Sequence, residues 1–132
     1  MNEPHDLDIS LWAATCQEAV TAIRNAGASG NWILLPGTNF DSAATFVSTG
    51  SGAALLNVTN PDGGKDGLVL EVHKYLDVDN SGTHNDCTTN NIANGFQLVA
   101  DFLRTSNRTA LVSETGAGTG TDVSSRSPTP FF

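Results

Sequence analysis

Apolar residues along this chain recur with two different periods, and each change of period marks the edge of an element. Ile9, Trp12, Ala13, Cys16, Val20 and Ile23 return every three or four positions, which places them along one side of an α-helix. Asp8 stands at the N-cap position and Gly27 at the C′ position, where a left-handed residue closes the last turn. Trp32-Ile33-Leu34-Leu35 is instead a short unbroken apolar run stopped by Pro36-Gly37. A second such run, Leu68-Val69-Leu70-Glu71-Val72, ends at His73-Lys74-Tyr75. Unbroken runs of this length read as strands of a parallel sheet, covered on both faces. Ala110-Leu111-Val112-Ser113 predicts a third strand, and Ile92, Phe96, Val99, Ala100 and Leu103 mark a helix ahead of it. Ser42 to Val47 and Ser51 to Val58 predict short helical pieces separated at Gly50, and Asn60-Pro61-Asp62-Gly63-Gly64 a turn. Trp12 and Trp32 each lie in an apolar run and are expected in the core. From 117 to 132 the periodicity stops, giving way to Gly, Thr, Ser and Pro and finishing on Phe131-Phe132.

Composition narrows the classes of function. At 132 residues the chain is one domain or less. Charged residues make up 15%, well below the usual quarter or so, and small polar residues fill the difference. A net charge of −8 with only six Lys plus Arg leaves no basic patch for phosphates, so nucleic acid is excluded as a partner, while a neutral polymer is not repelled. No apolar run approaches the roughly 20 residues that span a bilayer, so no membrane partner is expected. The first residues also lack the basic-then-apolar pattern of a secretion signal. Cys16 falls on the apolar stripe of the first helix and reads as a buried free thiol. The sequons Asn57-Val58-Thr59 and Asn107-Arg108-Thr109 lean towards secretion.

Strands alternating with helices, with catalytic-type polar residues after the strands, indicate a βα-repeat fold whose chemistry gathers at the carboxyl ends of the strands. Glu3, His73, Tyr75 and Glu114 all satisfy that placement. Two carboxylates delivered by separate strands are what glycoside hydrolysis requires. Asp77-Val78-Asp79-Asn80-Ser81-Gly82 imitates the start of a calcium-binding loop, but its twelfth position is Thr88 rather than a bidentate Glu, and no metal is expected there. No His or Cys pair has zinc spacing, and Ser113 has no base paired with it in the sequence.

Four segments, in order, resemble the family 5 glycoside hydrolases, and within them the fungal endo-β-1,4-glucanases. They are Met1-Asn2-Glu3-Pro4-His5-Asp6, Ala22-Ile23-Arg24-Asn25-Ala26-Gly27, Val72-His73-Lys74-Tyr75-Leu76-Asp77 with Asn80-Ser81-Gly82-Thr83-His84, and Glu114-Thr115-Gly116. The resemblance implies an α/β fold, a partial (β/α)8 TIM barrel from roughly the end of strand 4 through strand 7, with an irregular C-terminal tail. Residues 1–116 would be part of the family's catalytic domain, and 117–132 a tail foreign to it. Glu3 would be the general acid/base and Glu114 the nucleophile of a retaining reaction. Asn2 would hydrogen-bond the sugar 2-hydroxyl, Tyr75 orient the nucleophile, His73 contact substrate and Phe40 stack on a sugar ring. No cofactor is implied; the partner would be a β-glucan polysaccharide, and the full-length protein extracellular.

A whole barrel takes about 250 residues, so the expectation is a partial gene product, beginning at an internal Met and inactive alone. Open sheet edges would then favour self-association. The alternatives to catalysis are a non-catalytic glucan-binding fragment and a product without function.

Overall fold

The computed structural model describes residues 1–87 and 90–118. Helix α1 (Ile9–Asn25) leads to strand β1 (Ile33–Pro36), a short helix α2 (Ser51–Leu55) and strand β2 (Leu68–Tyr75). A π-helical turn at Ile92–Phe96 runs into α3 (Gln97–Ser106), and β3 (Ala110–Gly116) follows. The three strands form one parallel sheet in the order β1-β2-β3, with Ile33 opposite Leu68 and Leu70 opposite Ala110. The expected residues 117–132 tail lies outside the described residues from position 119 onward.

Local chemistry accounts for the first helix. The Asp8 carboxylate accepts from the Leu11 N–H at 2.9 Å, satisfying a donor that has no carbonyl partner in the first turn. Gly27 ends the helix at φ +93°, a conformation that would strain a residue with a side chain. The stripe Trp12, Cys16 and Val20 is buried at intervals of four. The Cys16 thiol is a free one, and burial pushes its pKa up to about 11. Trp12 also donates its indole N–H to the Pro36 carbonyl at 2.8 Å, tying α1 to the end of β1.

The core lies between one face of the sheet and the helices. Leu35, Leu70 and Val72 from the strands meet Trp12, Val20, Phe46, Leu55 and Val99 in one cluster. Phe46 and Phe102 pack edge to face at 6.1 Å, joining α3 to the segment after β1. Gly52 makes this approach open: a Cβ there would stand 2.7 Å from the Phe102 ring.

The structure departs from the periodicity at three places. Residues 42–47 are not helical. Their first residues are held by the end of β2, with Ser42 bridged to His73 and the Ala43 N–H bonded to the His73 carbonyl at 2.9 Å, and the Thr45 and Phe46 N–H groups turn back to the Ser42 carbonyl at 3.0 and 2.9 Å in a run of turns. The helix expected over Ser51 to Val58 stops at Leu55. Trp32, expected in the core, is 74% exposed, because β1 begins one residue later and leaves it outside the covered part of the strand. At the edge of the sheet, Leu111 and Val112 of β3 are also exposed.

These differences set the stability of single variants. Leu70→Ala is expected to cost about 2–5 kcal/mol and Asp8→Ala about 1 kcal/mol, while Trp32→Ala stays within about 0.5 kcal/mol. Urea unfolding of the three variants checks the ranking.

Candidate functional site

The carboxyl ends of the three strands and the N-terminal segment converge at one end of the sheet. The Phe40 N–H bonds the Pro4 carbonyl at 3.1 Å, which fastens the segment carrying Glu3 to the loop after β1. That loop makes a sharp turn, with Asn39, Phe40 and Asp41 all left-handed at φ +60°, +59° and +56°. Glu3 is itself left-handed at φ +46°. Across the other side of β2, pairing with β3 is regular as far as Val72 and Val112, then skips Ser113 so that His73 stands opposite Glu114. The skipped residue is a β-bulge, which re-aims every side chain beyond it.

His73 is the centre of the arrangement. Its Nδ1 lies 3.0 Å from Glu3 Oε1 and 3.6 Å from Glu114 Oε2. The Tyr75 hydroxyl donates to Glu114 Oε2 at 3.0 Å. One oxygen from each glutamate and a ring nitrogen of His73 all fall within 4.8 Å of one another. His73 is buried, whereas Glu3 and Glu114 keep about a third of their side-chain surface in solvent (35% and 33%). The bond to Glu114 is the main cause that raises the Tyr75 pKa, so the phenol keeps its proton and remains a donor. Gly116 and Gly82 leave room for the Tyr75 ring: a Cβ at either would come within 3.1 Å and 2.8 Å of it.

A cleft of about 490 Å³ opens beside this group, lined by Glu3, Phe40, Thr45, His73, Tyr75 and Asn80 among others. Phe40 is half exposed and lies flat on His5, with ring centroids 4.4 Å apart and planes 15° apart. Of the six expected site residues, Glu3, His73, Tyr75 and Glu114 are in direct contact and Phe40 lies in the cleft wall. Asn2 is exposed and is not among the residues that line it.

The outer wall is the loop after β2. Lys74, on the opposite face of β2 from His73 and Tyr75, is buried and donates to the Asn80 side chain. Burial lowers its pKa, opposed by the nearby Asp77. Asp77 accepts from Ser81 Oγ at 3.3 Å and from the His84 N–H at 3.1 Å. Burial works against its ionised form, but hydrogen bonds from His84, Gly82 and Ser81 prevail and bring it down to about 2. Asp77, Asp79 and His84 do bring ligand-type atoms within 4.8 Å, yet those atoms bond one another and Ser81, so the loop closes on itself.

Three contributors escaped the sequence reading. His5 sits inside a quoted motif, but only the fold reveals its stack on Phe40. Asp41 is wholly buried, with Oδ1 accepting the Gly37 N–H at 2.6 Å. Burial, only partly offset by that bond and reinforced by the negative Glu71, Glu3 and Glu114, pushes its pKa up to about 8. Glu71 had a visible signal: a lone charge inside the apolar run Leu68–Val72 rarely occurs without a partner.

Comparison with known proteins identifies the family of the chain. A family model described as cellulase (glycosyl hydrolase family 5) matches residues 1–129. Endoglucanase EG-II of Hypocrea jecorina is 60% identical over 118 residues, 89% of this chain and 28% of the relative. Endoglucanase 1 of Saitozyma flava is 52% identical over 89% of this chain and 34% of its own length. Among solved structures, Cel5A (EG2) from Hypocrea jecorina superposes with a TM-score of 0.88 at 60% identity, over 89% of this chain and 36% of that one. XacCel5A in complex with cellopentaose gives 0.81 at 33% identity, over 91% and 39%. The parallel sheet is accordingly a sector of a (β/α)8 barrel, and the chain spans 28% and 34% of the length of the two curated relatives.

The Asp77 bonds make the loop acid-sensitive in a defined direction. With a folded pKa of about 2 against an ordinary 3.8, Asp77 stabilises the fold fully above about pH 4 and loses that contribution as pH falls through about 2. Asp77→Asn is therefore expected to lower the urea midpoint at neutral pH, with the gap from the parent chain closing across that acid window.

Proposed function

The chain belongs to glycosyl hydrolase family 5, the cellulase family, and from that premise we propose that it carries the two carboxylates of a retaining endo-β-1,4-glucanase, Glu114 as nucleophile and Glu3 as acid/base. The observation that carries this reading is the approach of the two glutamates around His73, with oxygens no more than 4.8 Å apart. Retaining glycosidases hold their carboxyl groups about 5–5.5 Å apart, while inverting ones leave about 6.5–9.5 Å for a water. The separation here favours direct attack.

In that reaction Glu114 attacks the anomeric carbon while Glu3 gives its proton to the departing glycosidic oxygen. A glycosyl ester forms on Glu114, and Glu3, now a base, takes a proton from the water that hydrolyses it. Tyr75 supports the first step by holding Glu114 Oε2, which leaves the other oxygen free to attack.

The exposed face of the Phe40–His5 stack suits the apolar face of a pyranose, and Asn2 is assigned to the sugar 2-hydroxyl. The substrate is an internal β-1,4 linkage of cellulose or a related β-glucan. We assign residues 1–116 to the catalytic segment and 117–132 to a C-terminal tail, with the family match itself extending to residue 129. The two sequons fit an extracellular full-length protein, and the open edges of β1 and β3 favour self-association when the chain is alone.

The test places residues 1–118 in the corresponding segment of Hypocrea jecorina endoglucanase EG-II and follows reducing-sugar release from carboxymethylcellulose. The chimera is expected to be active, and Glu3→Gln and Glu114→Gln each to lower kcat on the order of 10³-fold or more. An active chimera indifferent to both substitutions would overturn the assignment. Cellulose pull-down by the 132-residue chain without sugar release would support glucan binding alone.

A further inference from the structure

Lys74 is among the most deeply buried side chains of the protein, 1% exposed, although it carries a charge. Its stem runs against Gly95 of the π-helical turn, where a Cβ would stand 3.1 Å from Cε. The ammonium ends on Asn80 Oδ1, in the loop after β2. Burying an ammonium is costly unless its donors are used. Here the acceptor belongs to the cleft, because Asn80 lines it together with Glu3, Phe40, His73 and Tyr75.

The contact fixes more than the position of the loop. An ammonium has three donors and no acceptor, so the only end of the Asn80 amide that can face it is the oxygen. Turning the amide over would set its N–H groups against a buried positive charge. Among the described residues, the bond through Oδ1 is the one hydrogen bond of the Asn80 side chain, which leaves Nδ2 to donate elsewhere. The backbone is equally settled. Asn80 is left-handed at φ +66°, a conformation that Asn tolerates, and Ser81 beside it bonds Asp79 through its N–H at 3.1 Å and Asp77 through Oγ at 3.3 Å.

We propose that Asn80 is a substrate-binding residue that donates from Nδ2 to a hydroxyl oxygen of the bound glucan, and that Lys74 is the positioning residue that turns its amide that way. The inference rests on the reading of the cleft as a β-glucan site. Sugar hydroxyl oxygens accept hydrogen bonds, and a donor held in place before the sugar arrives avoids the ordering cost of a free side chain. Phe40 supplies apolar surface in the same cleft, and Asn80 supplies direction. If Asn80 only tied down the loop, any oxygen acceptor for Lys74 would serve. Asn80→Asp separates the two roles: a carboxylate still accepts from Lys74, but it offers the cleft an acceptor in place of a donor.

A ¹⁵N–¹H NMR titration of the 132-residue chain with cellopentaose reads the difference. The Asn80 side-chain amide, assigned by its disappearance in Asn80→Asp, is expected to shift together with the Phe40 and Tyr75 backbone amides. Asn80→Asp should raise Kd roughly three- to tenfold, the effect of one lost hydrogen bond, and Lys74→Met should do the same with Asn80 intact. Shifts at Phe40 and Tyr75 with a stationary Asn80 amide, or either variant binding as the parent does, would overturn this inference alone. Cellopentaose that moves none of these resonances would overturn the glucan reading and this inference with it. Should Lys74→Met fail to fold, the parent titration and the Asn80→Asp variant decide the matter.

Discussion

The site depends on one extra residue in β3. If pairing with β2 continued in register beyond Val72 and Val112, Glu114 would stand opposite Lys74 and share its face, turned towards the helices. Ser113 is instead passed over, so Glu114 meets His73 and Gly116 meets Tyr75. A side chain on a strand changes face with every residue, so a single-residue bulge is the smallest change that moves a carboxylate from one side of a sheet to the other. Gly116 then falls where the Tyr75 ring needs space, and the phenol reaches the carboxylate it supports.

Around that register, the two faces of the sheet have different work. One face buries Leu35, Leu70 and Val72 under α1 and α3 and supplies most of the apolar burial. The carboxyl end of the other face gathers acids: Glu3, Asp41, Glu71 and Glu114 surround a single imidazole. Mutual repulsion among them is relieved by hydrogen bonds, by partial exposure of Glu3 and Glu114, and by a proton retained on Asp41. Stability built on one face thus holds an electrostatically unfavourable constellation on the other, a common division in catalytic folds.

The elements of the fold were largely legible in the sequence. Helix α1 has its cap, its stripe and its closing glycine, and the three apolar runs are the three strands. Periodicity fails where tertiary contacts decide. Residues 42–47 carry a helix-compatible pattern, yet Ser42 and Ala43 are held by the end of β2, and the rest forms turns rather than a continuous helix. Trp32 reads as core from its neighbours, but β1 begins one residue too late to cover it. In the candidate site, Glu3, His73, Tyr75 and Glu114 were singled out by their place after strands and by the family-like motifs, and the fold brings them into contact. The bulge and the burial of Asp41 were not, because both arise from which segments lie side by side and neither leaves a local pattern.

The central claim is that two carboxylates set this close around His73 act by double displacement. The anomeric configuration of newly released sugar tests it most directly. In the chimera, ¹H NMR during the first moments of cellopentaose hydrolysis should show the β anomer appearing first, followed by slow mutarotation. Initial appearance of the α anomer would contradict the account.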